Sequence, residues 1–304
     1  MKSLKIALDW TPNANHVGFY VAQQMGFYKN AGIDLQIIHA GEDHYKITPA
    51  KKVELGLVDF ALCPLESVMS YQTKASPFSL QAIGTLFKED LSAVVCKSNR
   101  GIESPKHLDG KSYASYKARY EDAIIKQMII NDGGSGSIEL QYPDKLGIWN
   151  TIENNQVDAT WIFMNWEGVQ AQQKGLDLNV FKLKDYQIPY SYSPVIVVDS
   201  NKIKEEQTIY SRFLKATKLG FLYAQKNPDQ AAKILKPHLP EADKSIDLNE
   251  CIRITCNAMG DEKNWGVMEP LKVQEFLKWL QEHHLENHNL KADSLFTNSL
   301  LIHH

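Results

Sequence analysis

The stretch that decides the fold is KIALDWTPNANHVGFYVAQQMGFYKNAGIDLQIIH, residues 5–39. It opens with a short apolar strand, Lys5–Asp9, and passes through a polar loop into a helix-like segment at 17–30. Gly32 follows, at a position where helix ends favour a residue that tolerates positive φ, and Asp34–His39 has the pattern of a second strand. A strand, a helix and a strand in this order predict a parallel β-α-β unit.

The same alternation continues along most of the chain. The further predicted strands are Phe60–Cys63, Leu80–Leu86, Ala93–Cys96, Ser112–Ala114, Ile138–Tyr142, Ala159–Phe163, Asn179–Leu183 and Pro194–Val198. The further predicted helices cover 46–56, 65–74, 119–131, 144–154, 166–174, 203–226, 228–236, 245–258 and 269–284. This order predicts an α/β protein of two three-layer lobes with mostly parallel sheets and a helical C-terminal tail.

The helical tail sets the expected domain organisation. If it packs on the first array of strands, the first lobe comprises residues 1–90 plus 193–304, and the second lobe comprises residues 91–192. The chain then crosses between the lobes near 88–92 and 190–194. Ligands of such sheets bind at the carboxyl ends of the strands, so a cleft between the lobes is the expected ligand site.

Composition excludes several classes of function. The 304 residues are 43% hydrophobic and 23% charged, with a net charge of -3, which gives no electrostatic reason to expect nucleic acid or an anionic membrane as partner. The four cysteines contain no C-x-x-C pair and no zinc pattern, so no metal is predicted. The N-terminal residues show no signal-peptide pattern. That favours the cytoplasm if Met1 is the native start, and the periplasm or cell envelope if a presequence was removed.

Aromatic rings, amides and acids recur at the predicted strand ends. Each has a structural explanation when taken alone, but together they favour a flat, polar, heteroaromatic ligand, because rings stack on its faces while carboxylates and amides bind its edge. Glu167 is the first candidate for the acid that accepts from an aminopyrimidine, followed by Asp9 and Glu66. The candidate ligand-binding residues are Asp9, Trp10, Asn13, His16, Glu66, Tyr116, Arg119, Trp166, Glu167, Tyr190 and Tyr192.

Four pieces of sequence carry a resemblance to a known family. They are LDWTPNANHVGFYVAQQMGFYKNAGID at 8–34, GKSY at 110–113, NWEG at 165–168 and YSYSPVIV at 190–197. Residues 4–230 resemble the periplasmic-type binding proteins for the thiamin pyrimidine precursor, which belong to the NMT1/THI5-like domain family. The resemblance implies a type II periplasmic-binding-protein fold that closes on formylaminopyrimidine or hydroxymethylpyrimidine. It also implies an ABC transporter permease as partner and no cofactor, and a hinged receptor gives no reason to exceed a monomer.

The resemblance extends to yeast-type pyrimidine synthases, which provide the alternative function. Those enzymes hold pyridoxal phosphate on a lysine and consume a histidine four residues away, just after the strand that here ends at Cys63. In this chain Cys63–Ser67 is CPLES, with neither residue, so a non-catalytic binding protein is favoured over a pyridoxal-phosphate-dependent hydroxymethylpyrimidine phosphate synthase. A binding protein for sulfonates, nitrate or taurine is a more distant possibility.

One loop leaves the charge of the ligand open. Residues 115–120 include Lys117 and Arg119, which is more basic than a neutral pyrimidine requires. These cations are either solvated at a helix start or bind a phosphate or carboxylate of the ligand. A phosphorylated pyrimidine is therefore a second possible ligand.

Overall fold

The computed structural model describes residues 1–301 and divides them into two compact units. The first lobe contains residues 1–90, 191–274 and 288–301, and the second lobe contains residues 91–190 and 275–287. The predicted division kept the whole C-terminal tail in the first lobe. Residues 275–287 lie with the second lobe because Phe276 packs edge-on against two of its rings, Tyr120 and Tyr190.

The strands and helices follow the predicted alternation. The strands are β1 Lys2–Ala7, β2 Ile33–Ile38, β3 Phe60–Cys63, β4 Leu80–Thr85, β5 Ser92–Lys97, β6 Ser112–Ala114, β7 Glu139–Gln141, β8 Ala159–Phe163, β9 Leu178–Phe181 and β10 Val195–Asp199. The helices are α1 Val17–Gln24, α2 Phe27–Asn30, α3 Pro49–Glu54, α4 Leu65–Thr73, α5 Glu121–Asn131, α6 Ile148–Glu153, α7 Glu167–Gln173, α8 Ile203–Lys226, α9 Pro228–Leu235, α10 Leu248–Ala258, α11 Pro270–Glu282 and α12 Ala292–Leu295.

Each lobe is built on a five-stranded mixed sheet. The order is β2-β1-β3-β10-β4 in the first lobe and β7-β6-β8-β5-β9 in the second. In each sheet one strand, β10 or β5, runs antiparallel to both of its neighbours. All four residues of β3 are buried although their side chains alternate between faces, so helices cover both faces of that sheet.

The helices differ from the prediction where the backbone changes direction. The predicted helix at 17–30 is two helices, because Gly26 between them adopts a left-handed conformation with φ of 73°. The predicted helix at 46–56 begins only at Pro49, with the side chain of Thr48 capping it. The short helix α12 had no counterpart in the prediction. Across residues 1–301, none of the helices combines the length and apolar character needed to cross a membrane.

Helices α1 and α8 of the first lobe cross at very short range. A Cβ atom on Gly220 would lie 2.0 Å from the carbonyl oxygen of Gly18 and 2.8 Å from the Cβ of Ala22. A Cβ on Gly18 would in turn overlap the ring of Phe221. Both positions therefore require glycine because the two backbones are in contact, which is a packing constraint and not a turn requirement.

We expect Gly220→Ala to destabilise the protein by about 1–3 kcal/mol, because the added methyl group forces the two helices apart. Urea unfolding followed by circular dichroism measures the change. The control is Gly147→Ala, where no atom lies within 4 Å of the new Cβ. A Gly220→Ala protein that unfolds at the same urea concentration as the wild type would contradict the close crossing.

Candidate functional site

Strand direction brings several loops of the first lobe to one edge of its sheet. Strands β1, β2 and β3 are parallel, so the segments that follow them leave at the same edge. Strand β10 is antiparallel, with Val195 opposite both Cys63 and Thr85, so it begins at this edge and the segment that precedes it lies there too. The predicted loop at 9–16, the start of α4 and residues 191–194 therefore share one edge.

The loop at 9–16 is organised by its own side chains. His16 is fully buried; its Nδ1 accepts a hydrogen bond from the backbone N–H of Asn13 at 3.2 Å, and its Nε2 lies 2.8 Å from Oδ1 of Asp9. Because Nδ1 accepts, the ring proton is on Nε2 and is donated to the Asp9 carboxylate. The side chain of Asn13 accepts from the backbone N–H of Asn15 at 2.9 Å. These contacts support loop hydrogen bonding, and not ligand contact, as the role of His16.

Trp10 has an aromatic neighbour that the sequence did not suggest. Its ring centroid lies 5.8 Å from that of Tyr45, with an interplanar angle of 58°. Tyr45 and the preceding His44 both adopt left-handed backbone conformations, with φ of 59° and 52°, which is costly for residues with a Cβ. Burial raises the pKa of Tyr45, and the negative charge of Asp9 adds to this increase. A strained loop thus places a second ring beside Trp10 and close to a carboxylate.

Glu66 lies in the first turn of α4 and is only 4% exposed. A helix N-terminus stabilises a carboxylate through the partial positive charge of its free N–H groups. Burial raises the pKa of the neighbouring Cys63 thiol, with smaller contributions from the charges of Asp9 and Glu66. The first lobe therefore brings two acids, Asp9 and Glu66, to the ends of adjacent strands around an unreactive thiol.

Tyr192, three residues before β10, is held by several contacts of the first lobe. Its side chain is buried, and its hydroxyl accepts a hydrogen bond from the backbone N–H of Glu269 at 2.9 Å. The ammonium group of Lys272 lies 4.5 Å from the centroid of the Tyr192 ring, and the Tyr192 carbonyl accepts from the backbone N–H of Leu65. Beside it, the Oγ of Ser191 is buried and has no hydrogen-bond partner among the described residues, which is unusual for a native protein.

In the second lobe, Glu167 follows β8 as the first residue of α7. Its Oε2 accepts a hydrogen bond from the backbone N–H of Phe163, the last residue of β8, at 3.0 Å. This contact holds the carboxylate at the strand end, where the sequence predicted it. Trp166 is 4% exposed, so its indole belongs to the core of the lobe more than to its surface.

Tyr190 lies in an aromatic cluster of the second lobe. Its ring packs at 5.2 Å and 63° against Trp161 of β8 and at 5.5 Å and 73° against Phe276 of α11. Tyr116, after β6, packs on the apolar cluster formed by Ala114 and residues of and near α6. Both tyrosines are half-buried.

The predicted role of Arg119 in binding an anion conflicts with its contacts. Its guanidinium forms an ion pair with the carboxylate of Glu286 at 2.6 Å, and the hydroxyl of Tyr120 donates to the same oxygen at 2.6 Å. The Glu286 side chain is 1% exposed, and a buried charge needs such partners. The sequence could not suggest this pairing, because Glu286 is 167 residues away along the chain.

Within residues 1–301, no group of three or more histidine, cysteine, aspartate and glutamate side chains is placed to hold a metal ion. The carboxylates of Asp9, Glu167 and Glu286 accept hydrogen bonds from protein donors. The rings and acids at the strand ends are suited to ring stacking and hydrogen bonding.

Comparison with known proteins gives a family and two named relatives. A family model described as NMT1/THI5 like matches residues 13–231. A formylaminopyrimidine-binding protein of Halalkalibacterium halodurans is 22% identical over 98% of this chain and 90% of its own length. A 4-amino-5-hydroxymethyl-2-methylpyrimidine phosphate synthase of Legionella pneumophila is 25% identical over 79% of this chain and 77% of its own length.

Solved structures agree on the fold. A Candida albicans gene product, described as having the generic periplasmic binding protein structural fold, matches with a TM-score of 0.72 at 14% identity over 98% of this chain and 97% of its own. Identity this low is informative about fold and not about ligand. The predicted periplasmic-binding-protein fold is confirmed.

We expect His16 to be the Nε2–H tautomer at pH 7.5, because Nδ1 is occupied as an acceptor. Long-range ¹H–¹⁵N correlation spectra distinguish the two ring nitrogens directly. The exposed His44 is the control and should show a mixture of tautomers. Observation of the Nδ1–H tautomer at His16 would show that the ring does not bind the Asp9 carboxylate in this way.

Proposed function

The chain belongs to the NMT1/THI5 like family, and on that premise we propose that it is a solute-binding protein for a thiamin-precursor pyrimidine that serves an ABC importer. Formylaminopyrimidine and hydroxymethylpyrimidine are the proposed ligands, in keeping with the name of the Halalkalibacterium relative. One observation carries the proposal: the rings of Trp10 and Tyr45 lie together beside Asp9 at the strand-end edge of the first lobe.

This arrangement suits the chemistry of an aminopyrimidine. The ring is flat, so it stacks on an indole or a phenol, and its exocyclic amine is a donor next to ring nitrogens. A carboxylate accepts from the amine, and also from the adjacent nitrogen when that nitrogen is protonated. Such charge-assisted hydrogen bonds are about twice as strong as neutral ones.

The contacts described above divide the candidate residues into two groups. We assign direct ligand contact to Asp9, Trp10, Tyr45 and Glu66 in the first lobe and to Tyr116, Glu167 and Tyr190 in the second. We assign supporting roles, through the protein contacts that each already makes, to Asn13, His16, Arg119, Trp166 and Tyr192.

The synthase named among the relatives is the alternative, and its cofactor fits this chain poorly. Pyridoxal phosphate needs a lysine for its Schiff base, and the resemblance places that lysine just after β3. Here α4 begins there, with Pro64 as its cap and a buried carboxylate at Glu66. Incubation with pyridoxal phosphate followed by borohydride and peptide mapping tests the alternative. A single stoichiometric lysine adduct would favour an enzyme.

The remaining parts of the proposal concern location and assembly. A protein that delivers a solute to an importer works in the periplasm or cell envelope, and we propose that location. We also propose that the protein acts as a monomer. Size-exclusion chromatography with light scattering tests the monomer, since a stable dimer would double the measured mass.

We expect calorimetry to detect tight binding of formylaminopyrimidine or hydroxymethylpyrimidine by the wild-type protein. Trp10→Ala should weaken binding by about 1–3 kcal/mol, the usual loss when one stacked base loses its aromatic partner. Trp10→Phe should lose less, because a ring remains. Leu219→Ala, on an exposed part of α8, is the control. The proposal fails if none of these pyrimidines binds and an unrelated anion does.

We expect Glu167→Gln to reduce pyrimidine affinity by about 1.5–3 kcal/mol, because it removes the charge from the proposed hydrogen bond. Glutamine can still accept from the backbone N–H of Phe163, so the loop is preserved. Glu153→Gln, at the end of α6, is the matched control in the same lobe. If calorimetry finds unchanged affinity for Glu167→Gln, the recognising acid is Asp9 or Glu66.

A further inference from the structure

In the second lobe, the carboxylate of Glu121 accepts hydrogen bonds from backbone N–H groups of the loop at 115–120, the basic loop. Glu121 is the first residue of α5 and is 3% exposed. It accepts hydrogen bonds from the backbone N–H of Tyr116 at 3.1 Å, from the backbone N–H of Ala118 at 3.2 Å and from the hydroxyl of Tyr113 at 2.9 Å. Free N–H groups before a helix are the donors that usually bind phosphate. Here an internal carboxylate accepts from them.

The next residue, Asp122, uses a further set of donors in the same loop. It accepts from the hydroxyl of Ser115 at 2.6 Å and from the hydroxyl of Tyr142 at 2.8 Å. The Ser115 oxygen in turn accepts from the backbone N–H of Lys117 at 3.0 Å. Three backbone N–H groups and three hydroxyl groups around the loop thus serve protein acceptors.

Two cations of this region, Arg119 and Lys145, face carboxylates of the same lobe, and the ammonium group of Lys117 lies 5.3 Å from the centroid of the Tyr142 ring. Arg119 is paired with the buried Glu286, as described above. Lys145 is half-buried; burial lowers its pKa, and the nearby Glu121 charge opposes that decrease. In all, the loop and its surroundings contain three cations, Lys117, Arg119 and Lys145. They also contain three carboxylates, Glu121, Asp122 and Glu286. The positive and negative charges of this region are therefore equal in number, although the loop sequence taken alone is basic.

We propose that Glu121 is a specificity-determining residue, whose carboxylate excludes a phosphorylated pyrimidine and leaves the uncharged pyrimidine as the ligand. A phosphate monoester carries a charge of about -1.5 to -2 at pH 7. Near this loop it would meet the carboxylate of Glu121, whose pKa is raised by burial while its three hydrogen bonds favour the charged form, and backbone donors that already have an acceptor. Tyr116 is a proposed ligand contact through its ring and a donor to Glu121 through its backbone N–H, so a ligand substituent directed at the loop would come close to the charge of this carboxylate.

The identity of the ligand in this inference rests on the proposed function, whereas the exclusion of phosphate by the loop does not. The first test is calorimetry with hydroxymethylpyrimidine and its phosphate ester. We expect the wild type to prefer the uncharged alcohol by at least about 30-fold, and Glu121→Gln to reduce that preference by about tenfold, since like charges repel strongly at partly buried sites. Glu139→Gln, exposed in the same lobe, should keep the wild-type preference. Equal binding of ester and alcohol by the wild type, or an unchanged preference in Glu121→Gln, overturns the inference.

The second test uses inorganic phosphate and does not depend on pyrimidine binding. Titration to tens of millimolar is followed through the ¹⁵N amide shifts of Tyr116 and Ala118. We expect no saturable shift in the wild type and a saturable shift in Glu121→Gln, because glutamine has one uncharged acceptor oxygen in place of the two that bind the N–H groups of Tyr116 and Ala118. A saturable shift in the wild type, or none in a folded Glu121→Gln protein, overturns the inference. If no pyrimidine binds, the proposed function fails, and the phosphate titration alone tests the role of Glu121. If the variant does not fold, a saturable shift in the wild type would still overturn the inference.

Discussion

The direction of the strands is the constraint on which the rest of this structure depends. Within each sheet the parallel strands end at one edge, and the single antiparallel strand begins there. Loops that are far apart in sequence, such as 9–16 and 191–194, therefore share an edge within the first lobe. Helices cover the faces of a sheet of this kind, so polar side chains gather where the helices leave the backbone accessible, at the strand ends.

Carboxylates that accept hydrogen bonds within their own lobe have two roles. Asp9, Glu121 and Glu286 each accept hydrogen bonds from named donors of their own lobe, which fixes the shape of the loops. A buried carboxylate without donors would cost several kcal/mol, so these contacts are a condition of the fold. The same charges then restrict which ligands can approach, because a loop ordered by an internal anion is a poor site for an external one. Structural stability and ligand selectivity thus share the same groups.

Most of the element order could be predicted from local pattern alone. Each of the ten strands lies within a few residues of its prediction, and α8 has the predicted bounds. The prediction succeeds here because hydrophobic periodicity and the glycines that end helices depend only on residues close together in sequence. Glu167 and Trp10 could be singled out because they follow clear strands. The pairing of Arg119 with Glu286 could not be predicted, because the two residues are 167 positions apart along the chain.

By itself, the sequence determined the alternation of strands and helices, the two α/β lobes and the family, since all three follow from local periodicity and contiguous motifs. Only the tertiary structure decided which polar groups are already engaged. Tyr45 reaches Trp10 through two left-handed residues, and residues 275–287 join the second lobe through Phe276. The physical reason is that hydrogen bonding and ring packing depend on distance in space, and no local pattern encodes a partner that lies far away along the chain.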